Sequence, residues 1–360
     1  MPLLARAWTG AARARRRLRR SSAPVNPGGL LRAPAPRRSV VDAIRAAAAA
    51  LFLAAILAAP AQAAYPGSNG PIAYVASRSG PPIPSLVDPA RHRKPRAIGH
   101  VGEVAPAWSP DGAALAVSSG SFAPRGPSTF SIVVMRADGT DRTQLTADRA
   151  LDFDPAWSPD GTKIAYSSDA SGVRGIWVIA STGATPQQLT TGPDDGTPAW
   201  SPDGTRIAFT RTTGNDGRIY VMGADGSNPH AVLEEPGDDE DPEWSPDGIH
   251  IAYTHYDDNS STADVWTMGA DGSEPEPLAQ SKYNETQPAW SPDGTRVAYT
   301  SNRHGHDDIW VIPATGGHPR DTTPDAASDD SPAWGPRSAV GNLRAVPGLR
   351  PASRLQGPSL

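Results

Sequence analysis

The sequence has no cysteine. Disulfides and thiolate chemistry are therefore excluded, and export cannot be argued from a disulfide framework. It has no apolar run long enough to cross a bilayer comfortably, which takes about 20 residues. The stretch from Ala46 to Ala59, AAAAALFLAAILAA, falls short of that. No segment shows helical periodicity long enough to cover a parallel sheet, which argues against the α/β classes. The G-x-S-x-G, P-loop and H-E-x-x-H motifs are absent, and with them the commonest sequence signatures of hydrolases, nucleotide-binding enzymes and zinc proteases.

The short apolar run has the length of a signal-peptide core. Arg37, Arg38 and Arg45 precede it, and Ala61-Gln62-Ala63 follows as a small-x-small cleavage site. Residues 1–63 are expected to be an Arg-rich extension and signal peptide cut after Ala63, the alternative being a membrane anchor. The expected destination is the periplasm, the cell envelope or the extracellular space. Arg37-Arg38 leaves open whether the route is Sec or twin-arginine. Residues 1–63 hold eleven Arg and one Asp, so the chain's net −5 becomes −15 without them. Four more Arg lie after Gly335, which leaves residues 64–335 at −19. Such a domain repels nucleic acid and anionic membranes and favours cations or basic partners. Residues 337–360 have no periodicity and are expected to be a disordered basic tail.

What the sequence does contain is a repeat. Pro-Ala-Trp-Ser-Pro-Asp-Gly begins at Pro106, Pro155, Pro198 and Pro288, and Pro-Glu-Trp-Ser-Pro-Asp-Gly at Pro242. The tryptophans Trp108, Trp157, Trp200, Trp244 and Trp290 recur about every 44 residues. Seven residues after each comes Leu115, Ile164, Ile207, Ile251 or Val297, followed by Ala. A second apolar run follows, as in GIWVI and DIWVI, and then a turn such as Asp225-Gly226. Ser-Pro-Asp-Gly reads as a turn in which Pro presets φ and Gly accepts φ > 0. The short β-branched and aromatic runs read as strands. Each repeat is thus a four-stranded meander, A to D, and radial repetition of such a unit describes a propeller blade.

The ends indicate the blade count. Ile72-Ala73-Tyr74 matches strand B, and Pro332-Ala333-Trp334 matches a strand A with no strand B after it. Five complete repeats plus one composite blade make six, over residues 64–336. Closure by the C-terminal strand removes the open edges of the sheet; closure by Tyr65-Pro66-Gly67 is the alternative.

The repeats PAWSPDGTKIAY and PAWSPDGTRIAF, followed by DIWVI, resemble the WD40-like (PD40) β-propeller repeats of TolB-like proteins. The resemblance covers about residues 65–335 and implies a six-bladed all-β propeller. It implies little about function. The α/β domain of TolB itself and the hydrolase domain of prolyl-peptidase-like proteins have no counterpart in these motifs. Oligogalacturonate lyases carry similar repeats and use histidines around a metal, but no matching set of residues carries over.

The register of the tryptophans assigns them to packing between blades. The motif aspartates are assigned to their own turns. His304-Gly305-His306-Asp307-Asp308 is the one local histidine cluster; it reads as a solvated B–C loop, with a metal site as the alternative. The remaining acids gather on one face. Asp152, Asp154, Asp195, Asp239, Asp241 and Asp330, placed in the D–A loops, form a candidate acidic rim around the channel mouth. The expected function is a non-catalytic, exported, monomeric protein-interaction scaffold without cofactor, whose partner is a protein with a basic segment. The alternatives are a lyase or hydrolase acting on a polysaccharide or peptide, and a binder of Ca²⁺ or a small ligand at the acidic mouth.

Overall fold

The computed structural model describes residues 68–337, apart from 78–80, 91–93, 122–128, 147–149, 215, 234–236, 258–261 and 326. The expected signal peptide and the tail beyond Arg337 lie outside the described residues. Among the described residues the chain is all-β, folded into six four-stranded antiparallel sheets.

Each sheet is one blade, with strands A to D in sequence order from the axis outwards. In blade 2 these are Glu103–Trp108, Ala114–Ser121, Thr129–Arg136 and Thr143–Gln144. Strand A of blades 3 to 6 runs over Asp152–Trp157, Asp195–Trp200, Asp238–Trp244 and Glu285–Trp290. Blade 1 is composite. Its strand A is Ser328–Pro336, which pairs antiparallel with strand B, Asn69–Ser77, so that Ile72 faces Trp334 and Ala73 faces Ala333. The C-terminal strand thus closes the ring, and Gly335-Pro336-Arg337 stands where the five complete copies carry Ser-Pro-Asp. The six A strands touch one another in sequence around the axis.

The turn chemistry is visible in each A–B connection. Asp111 Oδ1 accepts from Ser109 Oγ at 2.6 Å and from Ala113 N at 3.0 Å. Asp160, Asp203, Asp247 and Asp293 repeat that arrangement. These aspartates serve their own turns. The tryptophans serve the seams between blades. The buried core divides into six clusters, each shared by two neighbouring blades. One joins Ala165, Ile176 and Val178 of blade 3 to Trp200, Ile207, Phe209 and Met222 of blade 4. Burial of each such ring stabilises the fold by about 2–3 kcal/mol.

One irregularity recurs in every strand A. The third residue before the tryptophan has a positive φ: Ala105 at 49°, Asp154 at 54°, Thr197 at 47°, Asp241 at 56°, Gln287 at 56° and Ser331 at 53°. At this point the A–B ladder slips by one residue in all six blades. Such a β-bulge breaks the two-residue alternation of faces and bends the strand. Side chains two positions apart on either side of it are thereby sent in different directions.

Candidate functional site: the channel mouth

The acids assigned to the D–A loops lie for the most part within strand A itself, at its start. The bulge sorts them into two sets. The fifth residue before each tryptophan is a carboxylate in all six blades: Glu103, Asp152, Asp195, Asp239, Glu285 and Asp329. Each is at most 1% exposed. These do not form a solvated rim. Arg211 donates to both oxygens of Asp195, at 2.7 and 2.9 Å, and lies over the Tyr220 and Phe209 rings. Glu285 Oε1 accepts from Arg303 Nε at 3.0 Å, Ser301 Oγ at 3.1 Å and Ser281 Oγ at 2.8 Å. Asp239 meets His255 Nδ1 at 2.8 Å, and Glu103 meets Arg142. Paired basic groups make burial of these charges tolerable. Of the sequence-assigned rim, Asp152, Asp195 and Asp239 therefore belong to this buried belt.

Asp154 and Asp241 occupy the bulge instead. Asp154 Oδ2 lies 3.4 Å from Ser167 Oγ, and Asp241 Oδ2 accepts from Thr254 Oγ1 at 3.3 Å. Burial holds the Asp241 carboxyl up at about 7, reinforced by the negative charges of Glu240 and Asp154. Burial also raises Asp154, against the pull of Arg174. Asp154 stands two blades from Asp241 yet its charge is felt there, and Arg174 is felt by both. Both carboxylates lie in strand A, the inner strand of its blade, at the level of the bulges. Arg174 reaches over Gly196 of the next blade and donates to Asp194 Oδ1 at 2.5 Å. Asp330, the last of the rim, is half-buried and accepts from Ser331 Oγ at 3.0 Å.

Below this level sits Glu243, which the sequence reading passed over. The residue before the motif tryptophan is Ala107, Ala156, Ala199, Ala289 or Ala333 in the other blades. Burial pushes the Glu243 carboxyl up to about 8. A cavity of about 40 Å³ lies beside it, lined by Ala156, Ala199, Pro246 and four of the motif tryptophans. That is room for a few waters rather than an organic ligand. On the opposite face, a shallow recess of about 510 Å³ lies between blades 4 and 5, bordered by Arg206, Glu274 and Glu276.

The histidine loop is also more ordered in its chemistry than a solvated loop. His304 and His306 converge on Asp308, which is fully buried, and Asp321 of strand D joins them. Burial and the charge of Asp321 push the Asp308 carboxyl up to about 6, with the two histidines opposing. Asp321 went unnoticed in sequence, although the C–D hairpin pairs it with Trp310.

Six antiparallel four-stranded blades closed by the C-terminal strand define the class: a six-bladed β-propeller. The chain belongs to the PD40 family, the TolB beta propeller domain, which matches residues 64–197 and 194–286. Among solved structures it is similar to TolB from Acinetobacter baumannii, with 22% identity and a TM-score of 0.65 over 74% of this chain and 67% of that one. It is similar also to the putative TolB from Agrobacterium tumefaciens, with 24% identity and a TM-score of 0.57 over 71% of this chain and 89% of that one. Kuenenia stuttgartiensis hydrazine synthase shares the fold at 16% identity and a TM-score of 0.62, over 77% of this chain and 49% of that one. No curated protein matches the chain by sequence.

Proposed function

We propose that the chain is an exported, non-catalytic binding propeller whose channel mouth holds a basic segment of a partner protein. The observation that carries this reading is the pair Asp154 and Asp241. Both sit at the bulge of the inner strand, both are harder to ionise than an ordinary carboxylate, and the charge of Asp154 adds to the burden on Asp241. A Lys or Arg side chain brought by a partner relieves that conflict and gains a charge-assisted hydrogen bond in a partly desolvated site. The negative charge of residues 64–335 draws such a partner in from a distance. No helix among the described residues is long and apolar enough to cross a membrane. Export rests on the signal-like N-terminus alone.

The test is fluorescence anisotropy with a short labelled Arg/Lys peptide, read against wild type and the Asp154→Asn/Asp241→Asn variant. Saturable binding that weakens with salt is expected, with a loss of about tenfold or more in the double variant. Substituting Asp225 and Asp271, exposed in the C–D turns of the opposite face, should leave binding unchanged. Equal binding by the double variant overturns the reading.

A further inference from the structure

We propose that His304, Asp308 and Asp321, with His306 against Asp308, form a structural site for a zinc-like divalent metal, at the edge of blade 6 and apart from the channel. Two segments supply the ligands. The B–C connection and the start of strand C, Asp308–Pro313, bring His304 and Asp308. Strand D, Arg320–Asp321, brings the third, Asp321. The ladder explains the meeting: Asp321 stands opposite Trp310, and Asp308, two residues before Trp310, shares its face of the sheet.

The distances among His304, Asp308 and Asp321 are those of ligands around one ion. His304 Nδ1 lies 3.0 Å from Asp308 Oδ2 and 3.2 Å from Asp321 Oδ2, and His306 Nδ1 lies 3.2 Å from Asp308 Oδ1. Ligands about 2.0–2.1 Å from a tetrahedral zinc stand roughly 3.3 Å from one another. One ligand atom each from His304, Asp308 and Asp321 falls within 4.8 Å of the others.

A second, independent observation is the state of the donor atoms. Asp308 is 0% exposed, and its Oδ1, like His306 Nδ1 and Asp321 Oδ2, is buried without a hydrogen bond. Unsatisfied buried polar atoms are costly and uncommon. Asp308 and Asp321 bring two of these atoms to the cluster they form with His304, where a metal would satisfy them. The surroundings fix their aim. Asp321 Oδ1 accepts from Thr323 N at 2.9 Å, which turns Oδ2 toward His304. The His304 ring packs 5.3 Å from Trp310. Such outer contacts orient metal ligands.

The donor set selects the metal class. An imidazole nitrogen with two carboxylates suits zinc and its borderline neighbours better than Ca²⁺, which takes oxygen ligands. The three ligands come from two segments, so the role is that of a staple between the B–C loop and strand D, with a water to complete a four-coordinate shell. The exposed side of His304 gives the ion a way in.

The experiment is a calorimetric titration of the chelator-stripped full chain with Zn²⁺, paired with Co²⁺ absorption and thermal melts. One equivalent of Zn²⁺, visible Co²⁺ bands of tetrahedral strength and a melting midpoint raised by several degrees are expected. Asp308→Asn and Asp321→Asn should each abolish all three responses. His304→Gln, at a half-exposed position that leaves folding intact, should weaken binding by about tenfold or more. Absence of binding in the wild type overturns the proposal. So does Zn²⁺ binding of equal strength in folded Asp321→Asn and His304→Gln, which would trace the ion to other histidines.

Discussion

The indole Nε1 of Trp334 donates to the carbonyl of Gly70 at 3.2 Å, joining residues 264 apart in sequence. Around this bond the two ends of the described chain are knitted together. Arg337 N donates to Ser68 O at 2.8 Å, and Asn69 exchanges hydrogen bonds with Asp293 of blade 6 at 2.9 and 3.2 Å. Trp334 is 4% exposed and shares its cluster with Ile72, Tyr74 and residues of blade 6. Trp334→Ala therefore removes both a seam and the closure, at a cost of about 3–5 kcal/mol. Urea denaturation should show the midpoint fall accordingly. Trp334→Phe, which keeps most of the buried surface, should lose less than half as much.

The Asp195–Arg211 pair gives a second prediction. Arg211→Gln strands a carboxylate that is 0% exposed. Breaking one side of a buried pair costs about 3–5 kcal/mol, whereas replacing both partners costs far less. A double-mutant cycle of Arg211→Gln with Asp195→Asn should return a coupling well above the ~1 kcal/mol of a surface pair. A coupling near zero would mean that the belt contributes no pairing energy.

The C–D turns offer a controlled comparison. Gly272 and Gly316 occupy the same repeat position with φ of +83° and +78°. A Cβ on Gly272 would collide with the Val232 carbonyl oxygen of the preceding blade, while one on Gly316 would meet nothing within 4 Å. Alanine at either site bears the left-handed backbone cost of about 1–2 kcal/mol. Only Gly272→Ala must also displace backbone at a seam. Its thermal midpoint should drop clearly further than that of Gly316→Ala.

Stability should also fall as pH rises through neutrality. Glu243 is pushed up to about 8 and Asp241 to about 7. In the unfolded chain both ionise near about 4. A carboxyl raised in the folded state stabilises that state fully below its unfolded value, and this is lost as pH rises through the folded value. The window runs from about pH 4 to about pH 8. Turn aspartates such as Asp225 and Asp271, held low by Ser227 and Ser273, act below this window. Glu243→Gln should therefore be more stable than wild type at about pH 8.5, the difference closing toward about pH 4.5. Parallel urea curves at the two pH values check this.

The repeat made the fold legible because each of its parts has one local job. Trp fills a seam, Pro-Asp-Gly makes a turn, and the broken copy at Gly335-Pro336-Arg337 signals a strand with no hairpin to follow. The site was less legible. Asp152 and Asp154 are two apart, so ordinary strand alternation puts them on one face. Only the bulge at Asp154, which no residue type announces, sends one into the buried belt and the other to the channel. Asp195 and Asp239 read as rim acids because their partners, Arg211 and His255, lie 16 residues away across a ladder. Glu243 was visible as the single Glu in a register of alanines, a signal overlooked because the motif around it is structural.

The central claim is that the channel mouth takes a basic segment, and Asp241 carries its most specific signature. Near neutral pH this carboxyl, held up at about 7, is about half protonated in the free protein. A bound cation favours the ionised form, so binding must expel a proton. Calorimetric titration with the Arg/Lys peptide at pH 7, in two buffers of different ionisation enthalpy, counts that proton. The account predicts release of about half a proton per peptide in the wild type and none in Asp241→Asn. Absence of binding, or a proton count unchanged by Asp241→Asn, would contradict it.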